Sequence, residues 1–296
     1  MKKITALILV LSALFALCAC AKDEPKTEEP VEHWDLSELP RIDGSTATIP
    51  LSEGIACDLL GCTPEKAHEI INHNKTHSAY QNLIDGKCDI IFVTPPSEEE
   101  YKMLADAGDD FEIVRIVKDA FVFLVNSQNK VENISLSNVR DVYKGKITNW
   151  KELGGEDLPI IAYQRPDNSG SQTLMYKLCV PADEITKAPT ELKPGGMGDL
   201  VDVVSSYENG KGALGYSVYY YASGMYTSEG SKLIAIDGVF PSDETIANDT
   251  YPLVDGYYAI YRSKQTKDSP VFRLVDYLLS ERGQKTAKAS GYVPLA

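Results

Sequence analysis

The pattern in this sequence that is best suited to binding an anion is an arginine followed closely by a Ser-Gly-Ser turn. Arg165 precedes Ser169, Gly170 and Ser171, and a helical run begins by Leu174. A guanidinium group offers a planar pair of donors to two oxygens at once. The hydroxyls add donors, glycine permits close backbone approach, and a helix start presents unpaired N–H groups. These residues predict an oxyanion site, although a surface loop with an N-cap serine would have the same composition.

Other segments resemble a known family in sequence and in order. Residues 43–48 (Asp-Gly-Ser-Thr-Ala-Thr), followed by Ile-Pro-Leu, resemble the first anion-binding loop of the substrate-binding proteins of phosphate ABC transporters. The second loop of that family has the form Arg-x-x-x-Ser-Gly-Thr/Ser, as residues 165–171 do here. Similar segments follow at residues 210–216, 251–253, 279–284 and 291–295. The resemblance covers residues 42–295 and identifies the chain as a member of this family.

Short apolar runs alternate with helical patterns, which is typical of an α/β fold. The patterns predict strands at residues 88–93, 121–125, 159–162 and 257–261, and helices at 65–72, 79–85, 136–143, 171–179, 200–208 and 270–280. The resemblance implies a two-lobed class II periplasmic-binding-protein fold with two interlobe crossover strands, near 121–126 and 249–260. Lobe 1 would comprise residues 39–123 plus 250–296, and lobe 2 residues 124–249. Ligand binding would close the lobes by a hinge motion.

The resemblance also implies which residues meet the ligand. Ser45 and Thr46 would donate from the first loop, and Thr76 from a Lys-Thr-His-Ser turn that lacks the family's glycines. The second lobe would contribute Arg165, Ser169, Gly170 and Ser171. Thr94 stands where the family usually has an aspartate, which accepts the proton of hydrogen phosphate and repels sulfate. Threonine carries no charge that would reject sulfate. The implied ligand is therefore phosphate or a related tetrahedral oxyanion, with no cofactor.

The N-terminus has the features of an export signal. Two lysines precede an apolar run at residues 6–17, which is too short for a membrane-spanning helix. Leu-Cys-Ala-Cys at 17–20 resembles a bacterial lipobox, so residues 1–19 would be removed and Cys20 lipidated; a plain secretory signal is the alternative. Residues 20–38 are rich in acids and proline and predict a flexible tether. The protein would then be anchored on the extracytoplasmic face of the cell membrane.

The charge balance limits the partners. The net charge is −14, and removal of residues 1–19, which contain two lysines and no acids, changes it to −16. Nucleic acid is a poor partner for so acidic a chain. A bound anion is compatible with it, because salt screens distant carboxylates over about 8–10 Å while local donors act at contact. The family resemblance implies ABC transporter permease subunits as partners.

Two alternatives remain open from the sequence, and a third is not indicated. His73 and His77 have the residue type and spacing of zinc ligands, although a solvated loop with incidental histidines explains them too. A sensor or other binding module would use the same fold and site. An enzyme is not indicated, because no Gly-x-Ser-x-Gly motif is present and the glutamates at 98–100 predict a solvated helix start.

Cysteines give no further constraint on the fold. Four lie beyond the lipobox, namely Cys57, Cys62, Cys88 and Cys179, and the sequence does not choose among their pairings. Cys57 and Cys62 are near enough in the chain for a local bridge. Cys88 lies in an apolar run and is predicted to be a buried apolar residue.

Overall fold

The computed structural model describes residues 33–206 and 210–295. The strands are β1 (Ile42–Gly44), β2 (Ile90–Val93), β3 (Phe111–Asn126), β4 (Asn133–Ile134), β5 (Ile161–Ala162), β6 (Ala213–Val218), β7 (Ser231–Leu233), β8 (Ala235–Ile236) and β9 (Val254–Arg262). The α-helices are α1 (Ile49–Leu60), α2 (Pro64–Ile70), α3 (Thr76–Ile84), α4 (Glu98–Asp106), α5 (Leu136–Tyr143), α6 (Gly170–Leu178), α7 (Met197–Ser205), α8 (Asp243–Ala247), α9 (Pro270–Leu279) and α10 (Glu281–Ala289). This confirms the predicted α/β class.

The long strand β3 belongs to two parts of one seven-stranded sheet. Its first part, from Phe111 to Ala120, pairs with β9, which in turn pairs with β2 and then β1. Its second part, from Phe121 onward, pairs with β6 and β7, and β5 extends this half beside β6. The chain therefore passes between the halves once along β3. It returns just before β9, where the Phe121 N–H donates to Leu253 O at 2.9 Å.

The predicted crossover near 121–126 corresponds to β3, but the strand starts ten residues earlier than predicted. Charged residues in its first part, such as Glu112 and Lys118, interrupt the apolar pattern that identifies a strand. Lys118 is nevertheless buried, and its Nζ reaches Asp249 Oδ2 at 2.7 Å and Ala247 O at 2.8 Å. A partner brought by the fold thus makes a buried charge acceptable where the sequence alone argues against it.

Helix boundaries follow local capping. Ser97, Ser135, Ser169 and Ser269 each accept, through Oγ, the backbone N–H three residues on, which satisfies one of the unpaired donors of a helix start. The predicted helix at 136–143 coincides with α5, and the other predicted helices lie within three residues of observed ones at their described ends. Residues 207 and 208 of the helix predicted at 200–208 lie outside the described residues.

An aromatic cluster lies between the second half of the sheet and α5. Phe121, Phe123, Tyr143 and Tyr216 lie with ring centroids 5.2–6.3 Å apart. All four side chains are buried, and edge-to-face contacts of this kind add to the free energy of burial. The Tyr143 hydroxyl donates to the carbonyl of Tyr163 at 3.2 Å. The cluster therefore fixes the end of β5, from which the arginine loop departs.

Asp119 lies at the junction of the two halves of the sheet. Its Oδ1 accepts the N–H of Ala120 at 2.7 Å and that of Tyr220, beyond β6, at 3.2 Å. Tyr220 in turn packs against Tyr292 near the C-terminus, with ring centroids 4.1 Å apart. Burial raises the pKa of Asp119 to about 7, and the backbone donors oppose this rise only in part.

The N-terminal boundary of the folded unit differs from the prediction. Residues 1–32, which include the predicted signal and Cys20, lie outside the described residues. The predicted tether extends to residue 38, but the Trp34 N–H donates to Leu59 O at 2.7 Å and Arg273 lies 4.4 Å from the Trp34 ring centroid. Glu38 also pairs with Arg273 at 2.8 Å. The packed chain therefore begins four residues earlier than the tether was predicted to end.

The cysteines at 57, 62, 88 and 179 are all free thiols. Cys88 is 4% exposed, which confirms its predicted burial, and that burial raises its pKa to about 12. Among the described helices, none has the length and apolar character that a bilayer crossing requires.

Candidate functional site

A cavity of about 450 Å³ lies between loops from the two halves of the sheet. One wall comes from the residues after β1 and from the start of α3; the other comes from the segment between β5 and α6 and from the start of α7. Seven of the eight predicted ligand residues line it: Ser45, Thr46, Thr76, Arg165, Ser169, Gly170 and Ser171. The structure thus brings together residues up to 126 positions apart, and their contact with a ligand stays a prediction.

Arg165 is the buried cation of this cavity. Its side chain is 6% exposed, and Nη2 donates to Gly195 O at 3.0 Å. Nε and Nη1 have no hydrogen-bond partner among the described residues. Burial lowers the pKa of Arg165, while nearby Tyr216 and Asp199 oppose that effect. Buried guanidinium donors without partners are costly unless something binds them, and their charge and geometry suit an anion.

Hydrogen bonds with buried side chains fix the backbone of Arg165. Its N–H is within hydrogen-bond distance of both Gln172 Oε1, at 3.0 Å, and the Tyr216 hydroxyl, at 2.8 Å. The Tyr216 hydroxyl also donates to Gln172 Oε1. All three residues are buried. Because Tyr216 belongs to the aromatic cluster, the sheet core holds the arginine in position before any ligand arrives.

The start of α6 supplies neutral donors beside the guanidinium. Ser169 Oγ accepts the Gln172 N–H at 3.3 Å as the N-cap, and its own proton stays available to the cavity. Ser171 is 1% exposed, and its hydroxyl has no partner among the described residues. The helix start itself carries a partial positive charge that favours an anion.

The first loop faces this helix start from the other wall. The Ser45 carbonyl lies 2.9 Å from His73 Nδ1 and also accepts the Thr48 hydroxyl at 3.0 Å. Asp43 anchors the loop from below, because its carboxylate accepts donors from Gly44, Asn74 and Asn82 at 2.6–3.0 Å. Thr46 begins a short 3₁₀ helix that runs to Thr48.

Lys75 explains how the turn at residues 75–78 forms without a glycine. Its backbone has φ 69° and ψ 162°, a conformation that is almost restricted to glycine. The turn therefore adopts a glycine-like shape with a lysine, at a cost of roughly 1–3 kcal/mol. The sequence predicted that Thr76 precedes the helix, but Thr76 is the first residue of α3. The strained turn places the N-terminus of α3 on the cavity wall.

Thr94 lies directly behind the cavity wall. It is 3% exposed, and its hydroxyl has no partner among the described residues. A Cβ at Gly170 would approach Thr94 Oγ1 to 2.6 Å and Thr76 Oγ1 to 3.0 Å. The two walls therefore approach each other closely at Gly170, where a side chain would collide with these hydroxyls.

His77 and Glu100 form a pair that the sequence did not indicate. His77 lines the cavity, and its Nδ1 lies 3.3 Å from Glu100 Oε1. Glu100 is completely buried and accepts the Ser97 N–H at 2.9 Å, so the prediction that this residue belongs to a solvated helix start is wrong at Glu100. Burial raises the pKa of Glu100, against the effect of Ser97 and His77.

The two histidines of the proposed zinc pair have separate partners. His73 lies in the extended segment before α3, with Nδ1 toward Ser45 O, and burial lowers its pKa. His77 lies on α3, where its Nε2 is 3.3 Å from Gln81 Nε2. Within the described part of the chain, no group of three or more His, Cys, Asp or Glu residues is placed to hold a metal ion.

One hydrogen bond joins the two walls across the mouth of the cavity. Asn168 Nδ2, in the loop before α6, donates to Glu99 Oε2 on α4 at 2.7 Å. Further from the cavity, Lys177 on α6 pairs with Asp255 on β9 at 2.8 Å. These contacts hold the walls in their present, closely spaced arrangement.

Sequence reasoning missed several residues of the cavity. Gly195, Gly196 and Met197 at the start of α7 form part of the second wall, as do Pro166 and Asp167; Lys75, His77 and Ser78 form part of the first. A glycine pair ahead of a helix is a signal that could have indicated the α7 segment. The role of Tyr216 as a support for Arg165 depends on tertiary packing.

The fold and this cavity define the class as a two-lobed α/β protein with a cleft lined by hydrogen-bond donors. A sequence model described as a PBP superfamily domain matches residues 66–282. The chain therefore belongs to the PBP superfamily, which confirms the predicted fold class.

Similar proteins share the whole length of the chain. The phosphate-binding protein PstS of Bacillus subtilis is 27% identical over 307 residues, covering 100% of this chain and 95% of its own. PstS of Borreliella burgdorferi is 22% identical, with 99% of each chain covered. A Clostridium perfringens structure, assigned as a phosphate ABC transporter substrate-binding protein with bound phosphate, has a TM-score of 0.68 at 26% identity and covers 86% of this chain and 98% of that one.

Proposed function

We propose that this protein captures inorganic phosphate, or a related tetrahedral oxyanion, in the cleft and delivers it to an ABC importer. The observation that carries the proposal is the buried guanidinium of Arg165, whose Nε and Nη1 have no partner among the described residues. Donors on the first loop and on α6 surround it. The names of the similar proteins support phosphate as the ligand and an ABC transporter as the destination.

The cleft suits an anion although the chain is acidic. Hydroxyls of Ser45, Thr76 and Ser171 can each donate to an oxyanion, and the starts of α3 and α6 add backbone N–H groups and aligned dipoles. Such fixed donors replace the hydration shell of a dianion without requiring a second buried cation. Closure of the two walls would then report the loaded state to a transporter.

The direct test is calorimetric titration of the purified, ligand-stripped protein with phosphate. We expect tight binding in the wild type and loss of at least about a hundredfold in affinity for Arg165→Ala, because a charged hydrogen-bonding partner of the anion disappears. Arg41→Ala is the matched control, since Arg41 pairs with Asp89 on the surface at 2.7 Å. Unchanged phosphate binding in Arg165→Ala would contradict the proposal.

We further propose that residues 1–19 are an export signal and that Cys20 carries the lipid that anchors the mature protein on the extracytoplasmic face of the membrane. The apolar run and the Leu-Cys-Ala-Cys segment support this. Fractionation of cells that express the full chain tests it. We expect the protein in the membrane fraction and Cys20→Ser in the soluble extracytoplasmic or secreted fraction. Identical fractionation of the two would refute the lipid anchor.

A further inference from the structure

Among the described residues, those at the buried end of the cleft offer a guanidinium group and hydroxyls but no carboxylate acceptor. The groups there are the guanidinium of Arg165, the hydroxyls of Ser171 and Thr76, and, just behind the wall, the hydroxyl of Thr94. The acidic residue on the cavity wall, within the described part of the chain, is Asp167. It is exposed, and its Oδ1 accepts the Tyr176 hydroxyl at 2.5 Å.

Carboxylates on the neighbouring elements are engaged elsewhere. Glu99 accepts Asn168 at the mouth, and Glu100 is directed at Ser97 and His77. The carboxylates of Asp43 and Asp199 accept donors of their own loops, which include the Gly196 N–H at 2.7 Å for Asp199. None of these groups lines the buried end of the cavity.

A tetrahedral oxyanion has four oxygens, and the groups at the buried end decide whether one of these oxygens can carry a proton there. Hydrogen phosphate carries a proton on one oxygen, and a buried P–OH group needs an acceptor, which a carboxylate provides best. A site without a carboxylate, in which hydroxyls are the acceptors, gives the protonated anion less of an advantage. It recognises three unprotonated oxygens and a charge of −2, which sulfate and phosphate monoesters also present.

The cavity has room beyond these three oxygens. An anion of five heavy atoms displaces the volume of roughly two to three water molecules, about 60–90 Å³. The cavity of about 450 Å³ falls instead in the range of sites for small organic ligands. Lys75, Pro166 and Met197 line it too, and the Lys75 ammonium has no ion-pair partner among the described residues.

We propose that the cleft recognises the face of three unprotonated oxygens shared by the dianions of phosphate, sulfate and small phosphate monoesters, and that the fourth oxygen, free or esterified, points to the mouth. The inference rests on the proposed oxyanion function and deepens it by naming the ligand class. It predicts poor discrimination among these anions, with Thr94 as the position at which discrimination can be introduced.

Parallel calorimetric titrations with inorganic phosphate, sulfate, methyl phosphate and glycerol phosphate test the ligand class. We expect all four dissociation constants within about 30-fold of each other, since the same donors meet the same three oxygens. Phosphate binding with sulfate and methyl phosphate both weaker by more than that factor would overturn the inference and leave the proposed function intact. Binding of sulfate without either ester would overturn the esterified class. No binding of any anion would overturn both.

A variant at position 94 tests whether the buried end of the cleft meets unprotonated oxygens, because a carboxylate there would require phosphate to turn its P–OH group inward. Thr94→Asp adds a carboxylate that can accept a P–OH proton and repels an anion without one. We expect it to retain phosphate within about tenfold and to weaken sulfate and methyl phosphate more than a hundredfold. Thr94→Asn, with similar size and no charge, is the control and should not separate the anions. A uniform loss in Thr94→Asp, in a protein with unchanged thermal stability, would show that position 94 does not contact an oxygen of the anion and would overturn this placement.

Discussion

Gly170→Ala is predicted to weaken ligand binding without weakening the fold. The new methyl group would lie 2.6 Å from Thr94 Oγ1 and 3.0 Å from Thr76 Oγ1, both on the opposite wall of the cleft. Overpacking of this kind costs about 1–3 kcal/mol, which corresponds to an affinity loss of about 5- to 150-fold if it falls only on the closed arrangement. In contrast, alanine within a helix is more favourable than glycine by up to about 1 kcal/mol.

The assay is titration of each variant together with its thermal unfolding and its radius of gyration in solution. Gly195→Ala is the matched control, because Gly195 also lines the cavity and a Cβ there would have no heavy atom within 4 Å. Thr94→Ala in the Gly170→Ala background should restore part of the affinity by removing the contacted atoms, a coupling that a double-mutant cycle measures. Equal affinities of Gly170→Ala and wild type, or an equal loss in Gly195→Ala, would refute the reasoning.

Three further predictions concern strain, titration and closure. Lys75→Gly should raise the free energy of unfolding by about 1–2 kcal/mol in urea titrations, because glycine adopts this backbone conformation without strain. The control Lys87→Gly should lower it, and a loss of stability in both variants would show that the backbone at position 75 is not strained. Burial raises the pKa of Asp119 in the folded protein to about 7, so ionisation of this group lowers the free energy of unfolding progressively as pH rises from about 4 to 7. Relative to Asp119→Asn, the free energy of unfolding of the wild type should fall by about 2–3 kcal/mol between pH 5 and 8. A difference between the two proteins that does not change with pH would contradict this. Asn168→Ala should raise the ligand dissociation rate by roughly two- to tenfold in stopped-flow experiments. Adding Glu99→Ala should have no further effect, because both substitutions remove the same hydrogen bond, and additive effects would argue against a shared contact.

Much of the site could be predicted because its residues carry local signals. The arginine, the Ser-Gly-Ser turn and the helix start lie within residues 165–178, so one stretch of sequence contains the donors and the element that aims them. The same holds for α5, whose Ser135 cap and apolar spacing gave its boundaries. The sequence therefore predicts those site residues and helix boundaries that depend on contacts with residues nearby in the chain.

The rest depends on partners that are distant in the chain. The first part of β3 was missed because Lys118 and Asp119 look incompatible with a buried strand until Asp249 and Tyr220 are in place. Glu100 reads as a surface acid until His77 covers it. The conformation of Lys75 is imposed by the fold against the preference of the residue, and such cases are expected at functional sites.

The position of β9 in the sheet has a consequence for synthesis and export. In the first half of the sheet, β2 pairs with β1 on one side and with β9 on the other, and β9 begins 161 residues after the end of β2. The β1–β2 pair therefore cannot join β3 until nearly the whole chain is available. Such distant pairing slows folding. In a nascent chain the first half of the sheet would stay incomplete until β9 is made. If the chain is exported as we propose, this delay would favour its passage through a secretion channel before that half has folded.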